Sequence, residues 1–272
     1  MTSNTPSNPR IHRQTQIYQA ITRMHNEEEL FPLVCQIAVE FGGASMAWVG
    51  VADPELQQII PVACVGEGTD YLNNIHISTY QDKPHGRGPS AAAYRNNQAV
   101  ISNDWASDPS TAPWHTQATT LWGSSGCFPI QRNGQPIGVL SVYQQTKHFF
   151  DADTIKLFHE ISHDITAALD SFDREQERHE TLEALRANEQ HYRSYFERSM
   201  LGMAASSPNK SLLEVNQAFC NMLGYSAEEL QGITWETLTH PDDIEPNHTL
   251  FQRLIAGVID DFTLEKRFVK KS

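Results

Sequence analysis

The run CFPIQRNGQPIGVLSVYQQ, residues 127–145, constrains the fold more than any other stretch. Two apolar segments flank Asn133-Gly134, and an Asn-Gly pair in that setting is the strongest short-range signal of a β-hairpin. The hairpin is expected to be central and buried. Upstream, SMAWVGVAD and QIIPVACVG are short β-branched runs with a Pro-containing break between them, which suits two antiparallel strands, and NIHIS alternates like a third.

Helices flank this sheet. Ile17, Ile21 and Met24 share one helical stripe, and after the acidic start NEEE a second helix is expected from about Leu30 to Phe41, stopped by Gly42 and Gly43. Between the strand groups, Gly88 and Pro89 of GRGPSAAAYRNN open a small-residue helix, the short strand AVIS follows, and then comes a polar crossover. That crossover carries Trp105, Trp114 and Trp122, three of the chain's five tryptophans.

From Asp151 a long helical pattern begins. Phe158, Ile161, Ile165, Ala168, Phe172, Leu182, Tyr192 and Phe196 join by steps of three and four; Glu175, His179 and Glu189 weaken the stripe, and a three-residue step between Leu182 and Leu185 has the form of a coiled-coil stammer. After Arg198, MLGMAASS and SLLEVN read as two strands around the turn PNK. QAFCNMLG and SAEELQG read as helices, the second with Ser226 and Glu229 spaced for a capping box. A helix from about Ile244 to Ala256 and a last strand DFTLEKRFVK complete the pattern. With 272 residues, two domains with separate cores are expected. The opening MTSNTPSNP has no apolar period, so residues 1–10 are expected to form a frayed tail, with order beginning near Ile11.

Composition excludes several function classes. A formal charge of −13 without a basic cluster argues against nucleic-acid binding, which needs concentrated Lys and Arg. No apolar run approaches the roughly 20 residues of a membrane span, and the Met1 start lacks signal-peptide character, so a cytoplasmic location is expected. Cys35, Cys64, Cys127 and Cys220 form no CxxC pair and are expected to be reduced core thiols.

Two families resemble these segments. GRGPSAAAYRNNQAVISND, DPSTAPW, SSGCFPI and GQPIGVLSVY follow in the order of a GAF domain, so residues 28–170 resemble the GAF domains found upstream of bacterial cyclic di-GMP enzymes. VNQAFCNMLGYSAEELQG, THPDD and LEKRFVKKS similarly make residues 190–272 resemble a PAS domain. The expected fold is therefore α+β: a GAF antiparallel sheet flanked by helices (11–170), a signalling helix (171–197), then an α+β PAS domain (198–272) lacking its last strands. A PAS sheet has five strands and only three are supplied, so the chain is expected to be part of a longer protein. By resemblance the output would be a GGDEF cyclase, an EAL phosphodiesterase or both, with a histidine kinase next. The linker stripe, with its weak polar stations and irregular step, implies a homodimer, and the expected role is a regulatory sensor of a small-molecule effector.

The candidate motifs divide unevenly. HEISH, His159–His163, matches the zinc-peptidase pattern, but no third ligand follows at the expected spacing and the helix must bury Phe158, Ile161 and Ile165; a solvated helix face is expected. The same stretch lacks the Arg-Thr-Pro that follows a kinase phospho-acceptor histidine. Gly86, Gly88 and Pro89 before a helix are a weak anion-site signal and serve equally as a steric turn. No bilin or flavin-cysteine motif occurs. No cofactor is expected; haem on His248 is the one candidate, its register with haem-binding PAS helices being approximate. No catalytic or metal site is expected.

GAF resemblance makes the crossover a wall of the ligand pocket. Trp105, Trp114 and Trp122 would then line a cavity, with Asp104, His115, Ser124 and Ser125 as its polar groups. The alternative is that the three indoles fill the space themselves or meet a second subunit.

Overall fold

The structure, a computed structural model, describes residues 17–115 and 121–271. The expected tail and the start of order at Ile11 lie outside them. The chain divides into two compact units, Met1–Arg178 and His179–Ser272.

In the first unit, α1 (Glu27–Glu40) begins where the Asn26 side chain accepts a hydrogen bond from the Glu29 N–H at 2.9 Å. Glu27, Glu28 and Glu29 occupy its positive end. This cap starts the helix three residues ahead of Leu30. Strands β1 (Met46–Asp53), β2 (Gln58–Gly66), β3 (Val100–Ser102), β4 (Ser124–Arg132) and β5 (Gln135–Gln144) form one antiparallel sheet in the order β2-β1-β5-β4-β3. The β4–β5 turn is Asn133 (φ 51°) and Gly134 (φ 76°), both in the left-handed region that a two-residue hairpin needs. The hairpin's β5 is the central strand.

NIHIS does not form the expected third strand. It makes one bridge, Gln58↔Ser78, flanked by Ile59 N–H to Ile77 O and Thr79 N–H to Gln57 O. The chain leaves β2's edge after those contacts, so alternation alone does not produce a ladder.

Strand alternation separates two cores. One face carries Ala47, Val49, Phe128, Ile130, Leu140 and Val142, covered by Leu30, Val34 and Ile37 of α1 and by Phe158, Ile161, Ile165 and Leu169. The last four lie on α3 (Ala152–Arg198), a helix of 47 residues. The opposite face carries Met46, Trp48, Cys127, Val139 and Tyr143, covered by the crossover and by α2 (Pro89–Asn96).

Beyond Cys127, β4 has no β3 partner, and Pro129, which has no N–H to give a ladder, sits in that open stretch. Helix α3 covers it with a polar row. Ser162 Oγ donates to Pro129 O; the Gln131 N–H donates to Thr166 Oγ1 at 3.1 Å; the Asn133 N–H donates to Asp170 at 2.7 Å. Arg132 pairs with Asp173 through Nε and Nη2, one edge of its guanidinium, and reaches Glu27 of α1 through Nη1. An exposed strand edge is thereby closed by side chains instead of another strand.

Past Asp173 the helix is solvated: residues 174–195 are all exposed. Leu182, at the irregular step, and Leu185 (62% exposed) lie in this unbroken stretch. No helix among the described residues is long and apolar enough to cross a membrane.

The clasp carries a pH expectation. Arg132 beside Asp173 holds that carboxyl below its ordinary range. A carboxyl depressed in the folded state contributes stability in full above its unfolded pKa, near 3.9, and loses it as pH falls further. Urea midpoints of the first unit should therefore drop from pH 6 to pH 3.5, and Arg132→Ala should flatten that drop. An identical slope in the variant would disprove the coupling.

In the second unit, β6 (Ala204–Ser206) and β7 (Leu212–Val215) form a two-stranded antiparallel sheet. Buried Asn216 caps α4 (Gln217–Leu223): it accepts from the Met203 and Phe219 N–H groups and donates to Phe196 O and Leu201 O, all at 2.8–2.9 Å. Helix α5 (Ala227–Leu230) has the Ser226/Glu229 capping box. Helix α6 (Pro241–Ile255) starts at Pro241, three residues ahead of Ile244, because proline fits the first helical position. The expected last strand is reduced to the bridge Thr239↔Phe268. Its main-chain bonds go to three non-strand partners: His240 N–H to Arg267 O, Val269 N–H to Leu238 O and Lys271 N–H to Leu223 O.

Candidate functional site

Three crossover tryptophans converge on one face of the first unit's sheet. Trp105, Trp114 and Trp122 are 2%, 5% and 4% exposed, within the core that includes Trp48, Tyr71 and Tyr143. Each ring is placed by a local device. The Trp105 main-chain N–H donates to Gly123 O at 2.9 Å, and its main-chain carbonyl receives the Thr111 hydroxyl at 2.5 Å. His115 Nε2 lies 2.8 Å from that hydroxyl, and its ring is 5.1 Å from Trp105. Trp114 lies over Gly88, where an added Cβ would come within 2.4 Å of the indole. The steric reading of that glycine therefore holds: it makes room for the ring. Trp122 meets Tyr143 at 5.2 Å, and Tyr143 meets Tyr71 at 6.1 Å. Burial holds both phenols above their ordinary range and keeps them neutral.

The polar candidates separate. Ser125, 1% exposed, stands on the strand parity of Cys127 and so on the tryptophan face. Ser124 has the opposite parity, and its hydroxyl donates to Thr146 O at 2.8 Å. Asp104 is ion-paired with Lys147 at 2.8 Å, which holds its carboxyl below the ordinary range. His115 belongs to the Trp105 hydrogen-bond knot. The structure thus groups the three tryptophans, His115 and Ser125, places Asp104 in a lysine pair, and turns Ser124 away. Sequence reading missed Trp48, Tyr71 and Tyr143; the two-residue period of β1 and β5 was the signal for Trp48 and Tyr143.

Several buried polar atoms of this cluster have no hydrogen-bond partner among the described residues: the indole nitrogens of Trp114 and Trp122 and the Ser125 hydroxyl. An indole N–H can only donate. Such groups are ordinarily paired, so this face offers donors to whatever brings acceptors. Beneath it, Ser90, Cys127 and Ser141 satisfy one another at 3.1–3.4 Å.

HEISH lies on α3 with His159 and His163 exposed. The His159 ring packs edge-on against Phe128 at 5.4 Å. No group of three potential metal ligands occurs among the described residues.

Two hollows lie among the described residues of the second unit. One, of 410 Å³, lies between Tyr192, Arg193 and Phe196 of α3 and the β7 residues Leu212 and Glu214. The other, of 200 Å³, is lined by Phe219, Trp235, Asn247, Phe251, Lys266 and Phe268. His248 does not line it; its Nε2 lies 3.2 Å from Gln252 Nε2. The helix turns Asn247, the preceding residue, toward this hollow.

Comparison with known proteins matches residues 24–170 to the family described as "GAF domain" and residues 212–272 to "PAS fold". A curated relative, the "Probable diguanylate cyclase DgcE" of Escherichia coli K12, is 38% identical over 85 residues; the match covers 31% of this chain and 8% of the relative's length. Among solved structures, free methionine-R-sulfoxide reductase of Neisseria meningitidis has a TM-score of 0.51 at 17% identity, covering 62% of this chain and 95% of that one. The GAF domain of a Coxiella burnetii phosphoenolpyruvate-protein phosphotransferase has a TM-score of 0.51 at 15% identity, covering 61% and 95%. At these identities the likeness concerns the fold.

Proposed function

Because the chain belongs to the GAF domain family, through more than half of its length, and carries a PAS-fold segment behind it, we propose that it is the sensory region of a signal-transduction protein. In this reading residues 11–170 are the GAF receiver, 171–197 a helical linker and 198–272 the PAS segment. The receiver binds a small effector against the crossover tryptophans, and the change is relayed through α3 in a homodimer to an output domain. The similarity to a probable diguanylate cyclase supports cyclic di-GMP synthesis as that output. A GGDEF and EAL pair or a histidine kinase are the alternatives.

The observation that carries the proposal is α3 itself. Phe158, Ile161, Ile165 and Leu169 anchor its first turns in the receiver's core, and the same helix continues through 174–195 with Leu182, Leu185, Tyr192 and Tyr195 exposed. An apolar series on a solvated helix suits pairing with a second copy. Effector binding shifts such an element only through differential affinity, typically ~1–3 kcal/mol of coupling.

Near-complete burial of the three indoles favours a second reading, a ligand-free dimerisation scaffold in which the rings fill their own space. Tryptophan fluorescence across a nucleotide and metabolite panel, with light scattering for mass, separates the two. Saturable quenching and a dimer are expected. A dimer with a flat response to every compound would select the scaffold, and a strict monomer at high concentration would overturn the relay.

A further inference from the structure

The solvated shaft of α3 carries apolar and charged residues in an order that limits how a second copy can lie on it. Residues 174–195 are all exposed, and alternating steps of three and four from Glu175 reach Arg178, Leu182, Leu185, Glu189 and Tyr192, the spacing of one seam along a helix. Leu182 and Leu185 form its apolar centre and are 39% and 62% exposed. Charge stands on both sides of them. Arg178 donates to Glu175 of its own helix at 2.6 Å, and Arg193 donates to Glu189 at 3.3 Å, with all four side chains more than half exposed. Solvated pairs of this kind hold their partners weakly, which leaves the seam's charges open to a partner helix.

Two shafts running in the same direction would set each seam residue against its own copy. Glu175 would then face Glu175, Arg178 would face Arg178 and Glu189 would face Glu189, three like-charged layers around two leucine layers. Reversing one helix pairs Leu182 with Leu185 of the second copy. By the same count Arg178 meets Glu189 and Glu175 meets Tyr192, each contact occurring twice by two-fold symmetry. Repulsion across the seam becomes attraction. Neighbouring registers lose this match: a slide of one heptad sets Leu185 against Glu189 in one direction and against Glu175 in the other. At the flank, Arg174 comes beside the exposed ring of Tyr195, a cation against an aromatic face.

We infer that the shafts of two copies pair antiparallel over residues 175–192, with Leu182 on Leu185 at the centre and Arg178 on Glu189 to either side. The inference rests on the homodimer proposed above and adds its direction. Beyond Tyr195 the two chains then leave the pair at opposite ends, about 35 Å apart along the axis by the rise of a helix. In the proposed relay this arrangement keeps the two outputs apart, an off state for any reaction that needs both, and activation requires the seam to open.

Charge reversal in the full chain, with dimer dissociation followed by sedimentation equilibrium, tests the seam. Arg178→Glu and Glu189→Arg should each weaken the dimer about tenfold or more, because each sets like charges against one another in two layers. The double variant Arg178→Glu/Glu189→Arg should return to within about threefold of the parent, the signature of a direct pair. Circular dichroism of each variant reports an intact helix. Cross-linking reads the direction itself. In Cys64→Ser chains, which lack the exposed native thiol, Arg174→Cys on a tagged copy and Tyr195→Cys on an untagged copy are mixed and treated with a short bismaleimide. Bridges between positions 174 and 195 are expected. Bridges from 174 to 174 and from 195 to 195 in their place, or no recovery in the double variant, overturn the inference and leave the homodimer standing. A monomer at every concentration overturns the homodimer and this inference with it.

Discussion

Phe158→Ala is expected to remove about 3–5 kcal/mol from the stability of the first unit, the range for deleting a buried phenylalanine. The ring is fully buried and packs on Phe128 at 5.6 Å and Phe150 at 6.1 Å, joining α3 to β4 and to the loop before the helix. Gly42 lies so close that a Cβ there would come within 2.7 Å of the ring, so the site cannot collapse from that side without moving the end of α1. Urea unfolding followed by tryptophan emission is the measurement, since four of the five tryptophans belong to this unit. Amide exchange in residues 155–170 should rise with it. A loss below about 1 kcal/mol would mean that α3 is not held by this core, and the relay would have no anchor.

Trp105→Ala should have a comparable cost, about 3–5 kcal/mol, with a different local signature. Thr111 and His115 hydrogen-bond the main-chain carbonyl of residue 105, which the variant keeps, although the His115 ring loses its 5.1 Å packing on the indole, so the crossover should keep its path around a vacated space. The expected result is a lowered urea midpoint with the Trp114 and Trp122 emission still that of buried indoles in the folded state. If those rings become solvent-exposed under native conditions, Trp105 is the keystone of the whole crossover. In that case the scaffold reading gains, because a site that collapses with one ring has no room of its own.

Local chemistry was legible in the sequence wherever it decided the outcome. Asn133-Gly134 fixes the hairpin because both residues tolerate positive φ, and the Ser226/Glu229 box starts α5 because both partners lie within one turn. Expectation and structure part where the decisive partner is distant. NIHIS and DFTLEKRFVK alternate correctly, but a strand requires a neighbour along its length, and each finds only a bridge. Ser124 and Ser125 are equivalent as letters; only their position on β4 sends one toward the tryptophans and the other to Thr146. The Arg132–Asp173–Glu27 clasp joins residues up to 146 positions apart and has no local signature. Asn247 was overlooked beside the more conspicuous His248, although helical register alone separates the faces of neighbouring residues.

Closure of β4 by α3 restricts what the long helix can transmit. Ser162, Thr166, Asp170 and Asp173 recur at about one-turn intervals, so the helix is stitched to the strand over some three turns. Spinning about its own axis would break every stitch together, leaving polar main-chain atoms stranded, whereas bending with the strand preserves them all. In the proposed relay, curvature of the sheet would therefore be the input this helix can follow at least cost, delivered where the stitching ends and the solvated shaft begins. The same closure denies a foreign strand any purchase on β4 past Cys127.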